Sequence, residues 1–490
     1  MGTTNSDDAG SSSTPEPVDD LVTTGHSLTV RRRKLNYTAT TGRVVLRREV
    51  VTDGKVEGYK PKAEVLLTAY TLDGADPGQR PVTFAFNGGP GSASVWLHLG
   101  VLGPRRVVSG DAGAPVQPPY TLVDNPDTLL VHSDLVFIDP VGTGMSRATT
   151  GEKSADFHTF TADLEHVAEV IRLWTTRNGR WLSPKFLAGE SYGTTRAAAL
   201  AEHLQDKHGM YLNGLMLISA VLDFGTILFN EGNDRAHALY LPTYTAIAHH
   251  HGLLGDRPLA DALAEAEEFA DRDYPWALAR GARLTPEERA ATITKLAGLT
   301  GLSEDYLDRV DMRVEHIRFF TELLRHRKLT VGRFDGRFTG WESDYGRERF
   351  TEDPASAAIM GPFTAGINHY LREELGYPSD LHYQVLSTEV FRQWSYKEFQ
   401  NAHVSVTDKL AAAMRGNPAL KIHVASGYLD GATPYYATEH VLAALRIPAE
   451  LRENIEVKYY EAGHMMYLHE PSRVQQGKDL GAFVKASSNR

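Results

Sequence analysis

Gly189-Glu190-Ser191-Tyr192-Gly193 sets a serine between two glycines, a G-x-S-x-G pentapeptide that occurs once in the chain. Ser191 is a candidate nucleophile, but a serine hydroxyl reacts poorly at neutral pH unless a base takes its proton and a third group holds that base. Two residues far downstream have the right types. Asp430 stands in "GYLDGATP" and His464 in "AGHMMYLHEP", which gives the order serine, acid, histidine. That is one of the chain orders in which such a triad is assembled. The chemistry would be acyl transfer, with Ser191 attacking a carbonyl, His464 moving the proton and Asp430 orienting the imidazole. Each residue alone also suits an ordinary polar turn. What joins them is where the surrounding sequence would place them.

A nucleophile elbow needs a strand, a sharp turn with small neighbours and a helix, so that the serine Oγ stands above the sheet. "KFLA" before the pentapeptide and "TTRAAALAEHL" after it predict that strand and that helix. "VTFAFNGGPG", "DLVFIDPVGTG", "LNGLMLISAVLD", "LKIHVASGYLDG" and "NIEVKYYEAGH" are further apolar strands, each ending in a turn rich in Gly, Asp or Ser. From about residue 27, "TVRRRKLNYTATTGRVVLRREV" alternates polar and apolar and predicts antiparallel strands, with a later turn at Asp73-Gly74. Strands alternating with helices such as "ADLEHVAEVIRLWTTR" predict an α/β protein whose mostly parallel central sheet is covered by helices. Sites in such sheets lie at the carboxyl ends of the strands, where all three candidates fall. Residues 231–385 break the pattern with amphipathic helices that have good starts at Thr285-Pro286 and Ser303. They read as a mainly helical cap inserted into one domain, whose two parts are 26–230 and 386–490, after a disordered acidic tail at 1–25.

The 490 residues are 42% hydrophobic and 23% charged, the balance of a soluble globular protein with ample core. A net charge of −11 argues against a nucleic-acid groove. No run of about 18 apolar residues predicts a membrane span. The absence of cysteine removes disulfides, thiolate catalysis and cysteine-ligated zinc together. "MGTTNSDDAGSSSTPEPVDDL" lacks the basic and apolar regions of a secretory signal, so a cytoplasmic location is expected. His249, His250 and His251 point to different faces of a helix and do not converge on one ion, so no metal site is expected.

Four separated segments, "FNGGPGSASVWLHLGVLGPRRV" (86–107), "DPVGTGMS" (139–146), "AGESYG" (188–193) and "SGYLDGATP…EAGHMMY" (426–467), resemble the serine carboxypeptidases of the α/β-hydrolase superfamily, especially their bacterial branch. The likeness extends over nearly all of 40–485. It implies an α/β-hydrolase fold and release of C-terminal amino acids from peptides, with Ser191 as nucleophile, His464 as base and Asp430 as its orienter. It implies an oxyanion hole from the backbone at Gly88, Gly89 and Tyr192, and binding of the substrate's terminal carboxylate by Asn87, Gly88 and Glu190. A glutamate pressed between another carboxylate and a low-dielectric wall has a raised pKa, which favours exopeptidase activity in acid. No cofactor is implied, the expected partner is a peptide with a free C-terminus, and a homodimer is left open. The chain departs from the pattern of many secreted members: Ala85-Phe86 replaces Trp-Leu before the asparagine, Val101 replaces a glutamate and Ser92 a cysteine. These departures keep a serine esterase or acyltransferase on the same scaffold as the alternative.

Overall fold

The computed structural model describes residues 16–488. Nine strands carry the central sheet: β1 (Asp20–Val30), β2 (Arg33–Thr52), β3 (Lys55–Leu72), β4 (Val82–Phe86), β5 (Asp134–Ile138), β6 (Lys185–Glu190), β7 (Gly214–Ile218), β8 (Lys421–Gly427) and β9 (Ile455–Tyr460). Their spatial order is β1-β2-β3-β5-β4-β6-β7-β8-β9, with the two-residue strand Arg147–Ala148 on β3. β1 to β3 form an antiparallel meander joined to β5, and every pairing from β5 to β9 is parallel. β2 turns into β3 at Asp53-Gly54, both at positive φ, as a tight hairpin between right-twisted strands requires.

The inner parallel strands β4, β5, β6 and β7 are buried along their whole length because helices cover both faces, and successive residues point to opposite layers, whereas edge strand β9 exposes Lys458 and Tyr459. Phe186 and Ala188 of β6 pack with Met216 and Ile218 of β7 on one face. Leu187, Leu215 and Leu217 pack on the other. That second face is covered by α1 (Phe160–Arg177) and α2 (Tyr192–His208), which ends at left-handed Gly209. No helix among the described residues is long and apolar enough to cross a membrane.

Between β7 and β8 the chain leaves the sheet and builds its own core from α3 (Arg235–His250), α4 (Leu259–Asp271) and α5 (Pro286–Thr300). Thr285 and Glu288 close a capping box at the start of α5, with Pro286 in its first turn. The excursion is divided differently from the sequence expectation. In α6 (Pro354–His369), Ile359, Phe363 and Ile367 join the apolar layer on the sheet itself, and the Phe363 ring lies 4.9 Å from that of Trp96. The cap proper therefore ends well before 385. The chain reaches the sheet's covering layer again at α7 (Thr407–Gly416), where Leu410, Ala413 and Met414 pack with α2.

The tail expectation also needs correction. Residues 1–15 lie outside the described ones, but Asp20–Gly25 are part of β1. An edge strand needs main-chain pairing and only intermittent apolar residues, so a polar composition does not exclude it. Asp19 reinforces the entry, accepting from the Val45 N–H at 2.8 Å and from Arg177 at 2.6 Å.

Candidate active site

Ser191 stands between β6 and α2 with φ 60° and ψ −130°. A non-glycine residue held in this sparsely populated region marks a sharp, over-determined turn. Its N–H donates to the Ile218 carbonyl at 3.0 Å, and its own carbonyl accepts from Thr194 N–H at 2.8 Å and Thr194 Oγ1 at 2.7 Å. Gly193 permits the tightness: a Cβ there would lie 2.8 Å from the Phe86 carbonyl oxygen.

Asp430 and His464 come from the loops after β8 and β9. His464 Nδ1 lies 2.8 Å from Asp430 Oδ2, and both side chains are buried. With Nδ1 donating to the carboxylate, Nε2 is left as the proton acceptor. Asp430 Oδ1 accepts from the N–H groups of Ala432 and Thr433 at 2.8 and 2.9 Å, and Oδ2 accepts from Thr433 Oγ1 at 2.7 Å. The main chain of His464 is fixed from both sides, its backbone N–H donating to the Phe334 carbonyl at 2.6 Å and its own carbonyl accepting from Ser219 Oγ at 2.6 Å. Burial alone would lower its pKa, but the Asp430 carboxylate prevails and holds it above the usual value. Ser191 and His464 line one cavity of about 350 Å³ together with Asn87, Gly88, Gly89 and Glu190. No hydrogen bond joins the serine to the imidazole, a looseness common before substrate binds.

Opposite Ser191, the loop after β4 runs against the start of α2. Gly88 is so close to the backbone nitrogens of Tyr192 and Gly193 that a Cβ would overlap both. The Asn87 carbonyl accepts from Arg196 Nη1 at 2.6 Å. Arg196 is itself buried against Asp163, with Nε to Oδ2 at 2.7 Å and Nη2 to Oδ1 at 3.0 Å. A buried, bidentate pair of this kind anchors the loop rigidly on α2.

Glu190 is 3% exposed and enclosed by two donors. Asn87 Nδ2 donates to Oε1 and the Tyr467 hydroxyl to Oε2, each at 2.8 Å. Burial pushes the carboxyl up to about 7, against the opposing pull of His464 and the two hydrogen bonds. Val101, where the resembled pattern has an acid, is buried in the apolar core, and it is the Tyr467 hydroxyl that serves Glu190's second oxygen. Gly100 makes room for it, since a Cβ there would run into the Tyr467 ring.

Every sequence-predicted site residue thus falls in one region. The three histidines do not: His249 Nε2 contacts the Arg257 carbonyl and His251 Nε2 the Gly336 carbonyl, each at 2.8 Å. Sequence reading missed Tyr467, Arg196 and Arg333, a further lining residue. Arg196 left one signal, a lone arginine in the otherwise small-residue start of its helix. Arg333, in "VGRFDGRF", left none.

The sheet order, the sharp turn at the carboxyl end of β6 and the excursion after β7 define an α/β-hydrolase fold. The serine carboxypeptidase family model matches residues 69–468, so the chain belongs to the serine carboxypeptidase family and is a serine-type hydrolase. A search of curated protein sequences gives no match. Among solved structures it is similar to the prohormone-processing carboxypeptidase Kex1 of Saccharomyces cerevisiae, at 15% identity and a TM-score of 0.57, covering 91% of each chain. A proline iminopeptidase of Mycobacterium smegmatis matches at 16% identity and a TM-score of 0.36, covering 90% of this chain and 99% of that one.

Proposed function

We propose that the chain releases C-terminal amino acids from peptides through an acyl-enzyme on Ser191. Ser191 Oγ attacks the last peptide carbonyl while its proton passes to His464 Nε2. The oxygen that gains charge lies in the notch lined by the backbone N–H groups of Gly89 and Tyr192, with Gly88 giving the approach. The C–N bond breaks as His464 returns the proton to the leaving amine. Water then enters by the same route, gives its proton to His464 and frees the acyl group, restoring Ser191. Asp430 keeps the imidazole in the required tautomer and stabilises its cation.

The observation that carries this reading is Glu190, buried beside Ser191 between Asn87 and Tyr467 with a carboxyl pushed up to about 7. A carboxylate there would repel a substrate carboxylate. The protonated acid donates to it instead, with Asn87 Nδ2 as second donor. The test is hydrolysis of N-blocked dipeptides beside their C-terminal amides and esters, with Ser191→Ala as control. Release of the terminal residue from the free acids alone, lost in the variant by a factor of about 10⁴ or more, is the expected result. Cleavage of amides and esters as readily as acids would assign the site to a serine esterase or acyltransferase.

A further inference from the structure

Arg333 is the one permanent cation among the residues lining the cavity. It enters from the excursion, next to the short strand Thr330–Val331, and is half-buried. No carboxylate among the described residues lies within ion-pair distance of its guanidinium, no hydrogen bond engages it, and its Nε is buried without a partner. Asp353, the acidic residue bonded to the Arg333 main chain, is spent there. Its Oδ2 accepts from the N–H groups of Arg333 and Phe334 at 2.6 and 3.2 Å, and its Oδ1 caps α6 through Ser356. The guanidinium instead lies 4.9 Å over the Phe334 ring, which is 5.2 Å from the His464 ring. One aromatic ring therefore separates the charge from the imidazole. A charged group held at a cavity wall without a counter-ion is a binding element awaiting its partner.

Its position in the sheet order says which part of a substrate it meets. The two groups proposed to hold the terminal carboxylate, Glu190 and Asn87, stand at the ends of β6 and β4, while Tyr467 from beyond β9 occupies Glu190's other oxygen. Arg333 belongs to the β8 side, where its carbonyl accepts from the Gly431 N–H at 3.0 Å, one residue beyond Asp430. Ser191, at the end of β6, lies between them. A peptide whose terminal carboxylate rests on Glu190 and whose scissile carbonyl rests on Ser191 runs its acyl part towards Arg333. The proposed carboxypeptidase reading enters only here, in fixing which end of the peptide faces which wall.

We infer that Arg333 is a specificity-determining residue that selects an acidic side chain on the acyl side of the scissile bond. The test compares kcat/KM for N-blocked dipeptides with Glu, Gln, Leu or Lys as acyl residue and one fixed terminal residue. The matching p-nitrophenyl esters, which share the acyl part but lack the terminal carboxylate, are run in parallel. The expected result is a Glu-over-Gln preference of about tenfold or more in both series. Arg333→Met brings that ratio to about one, and Arg333→Glu transfers the preference to Lys. A variant that merely loosened the fold would slow all substrates together and leave the ratio standing. Equal rates for Glu and Gln in the wild type overturn the proposal alone. Turnover of the esters only, still with Glu preferred, upholds it while removing the carboxypeptidase reading. No turnover of either series overturns both.

Discussion

At the scale of the residue, the protons on Glu190 and His464 are coupled. Each carries the other among the causes of its shift: the Glu190 charge raises the imidazole, and the imidazolium lowers the carboxyl. On the proposed reading, the productive state keeps the proton on Glu190, leaving His464 neutral as base. Activity on free-carboxylate peptides therefore has an acid limb, where His464 becomes protonated, and an alkaline limb, where Glu190 ionises near its value of about 7. The Tyr467 hydroxyl stabilises the charged form of Glu190, so Tyr467→Phe raises the carboxyl further. The alkaline limb then moves up by roughly half to one pH unit. Glu190→Gln donates at every pH and removes that limb. Profiles of kcat/KM against pH for the three proteins check this; an alkaline limb unmoved in both variants would assign it to another group.

At the scale of the element, the active region depends on one strand–turn–helix unit and one glycine loop pressed against it. Gly88→Ala drives a methyl into the Tyr192 and Gly193 nitrogens and would displace the donor proposed to face the reacting oxygen. The expected cost is about 10²–10³ in kcat, as for loss of one oxyanion donor. KM for the free acids should change far less, and unaltered kcat would mean that the Tyr192 N–H is not used. The unit itself was legible: "KFLAGESYG" followed by "TTRAAALAEHL" gave strand, turn and helix because local sequence carries all three signals. The Tyr467 contact was not. It joins residues on opposite sides of the helical excursion, and no local pattern reports that a tyrosine hydroxyl will meet a glutamate so far back in the chain. β1 was hidden for a different reason, since an edge strand is held by main-chain pairing that its polar side chains do not announce. The end of the cap was misjudged because the apolar residues of α6 do not announce which core they join; that is a tertiary fact.

At the scale of the whole molecule, buried titrating groups pull stability in opposite directions. Glu190 binds a proton in the folded chain between its usual 4.5 and about 7. Its contribution is full below that window and is lost as pH rises through it. Buried His98, lowered to about 3, and His237 and His251, lowered to about 4, act oppositely. Their contribution is full above 6.5, the ordinary histidine value, and is lost on acidification. Thermal midpoints should therefore fall in acid, and Glu190→Gln should gain on the wild type as pH goes from about 5 to about 8. A gap between the two proteins that stays constant across that range would show that the Glu190 charge is not felt by the fold.

The excursion between β7 and β8 also orders the chain in time. The strand, turn and helix that carry Ser191, with the Asn87–Gly91 loop, Asp163 and Arg196, lie before it, while Asp430, His464 and Tyr467 lie after it. Synthesis runs from the amino end, so the proposed nucleophile is made long before the proposed base. On the proposed reading, a product that stops short of His464 would hold the serine in its turn without the group that activates it, and hydrolytic capacity would follow only once the segment carrying Asp430 and His464 has been made.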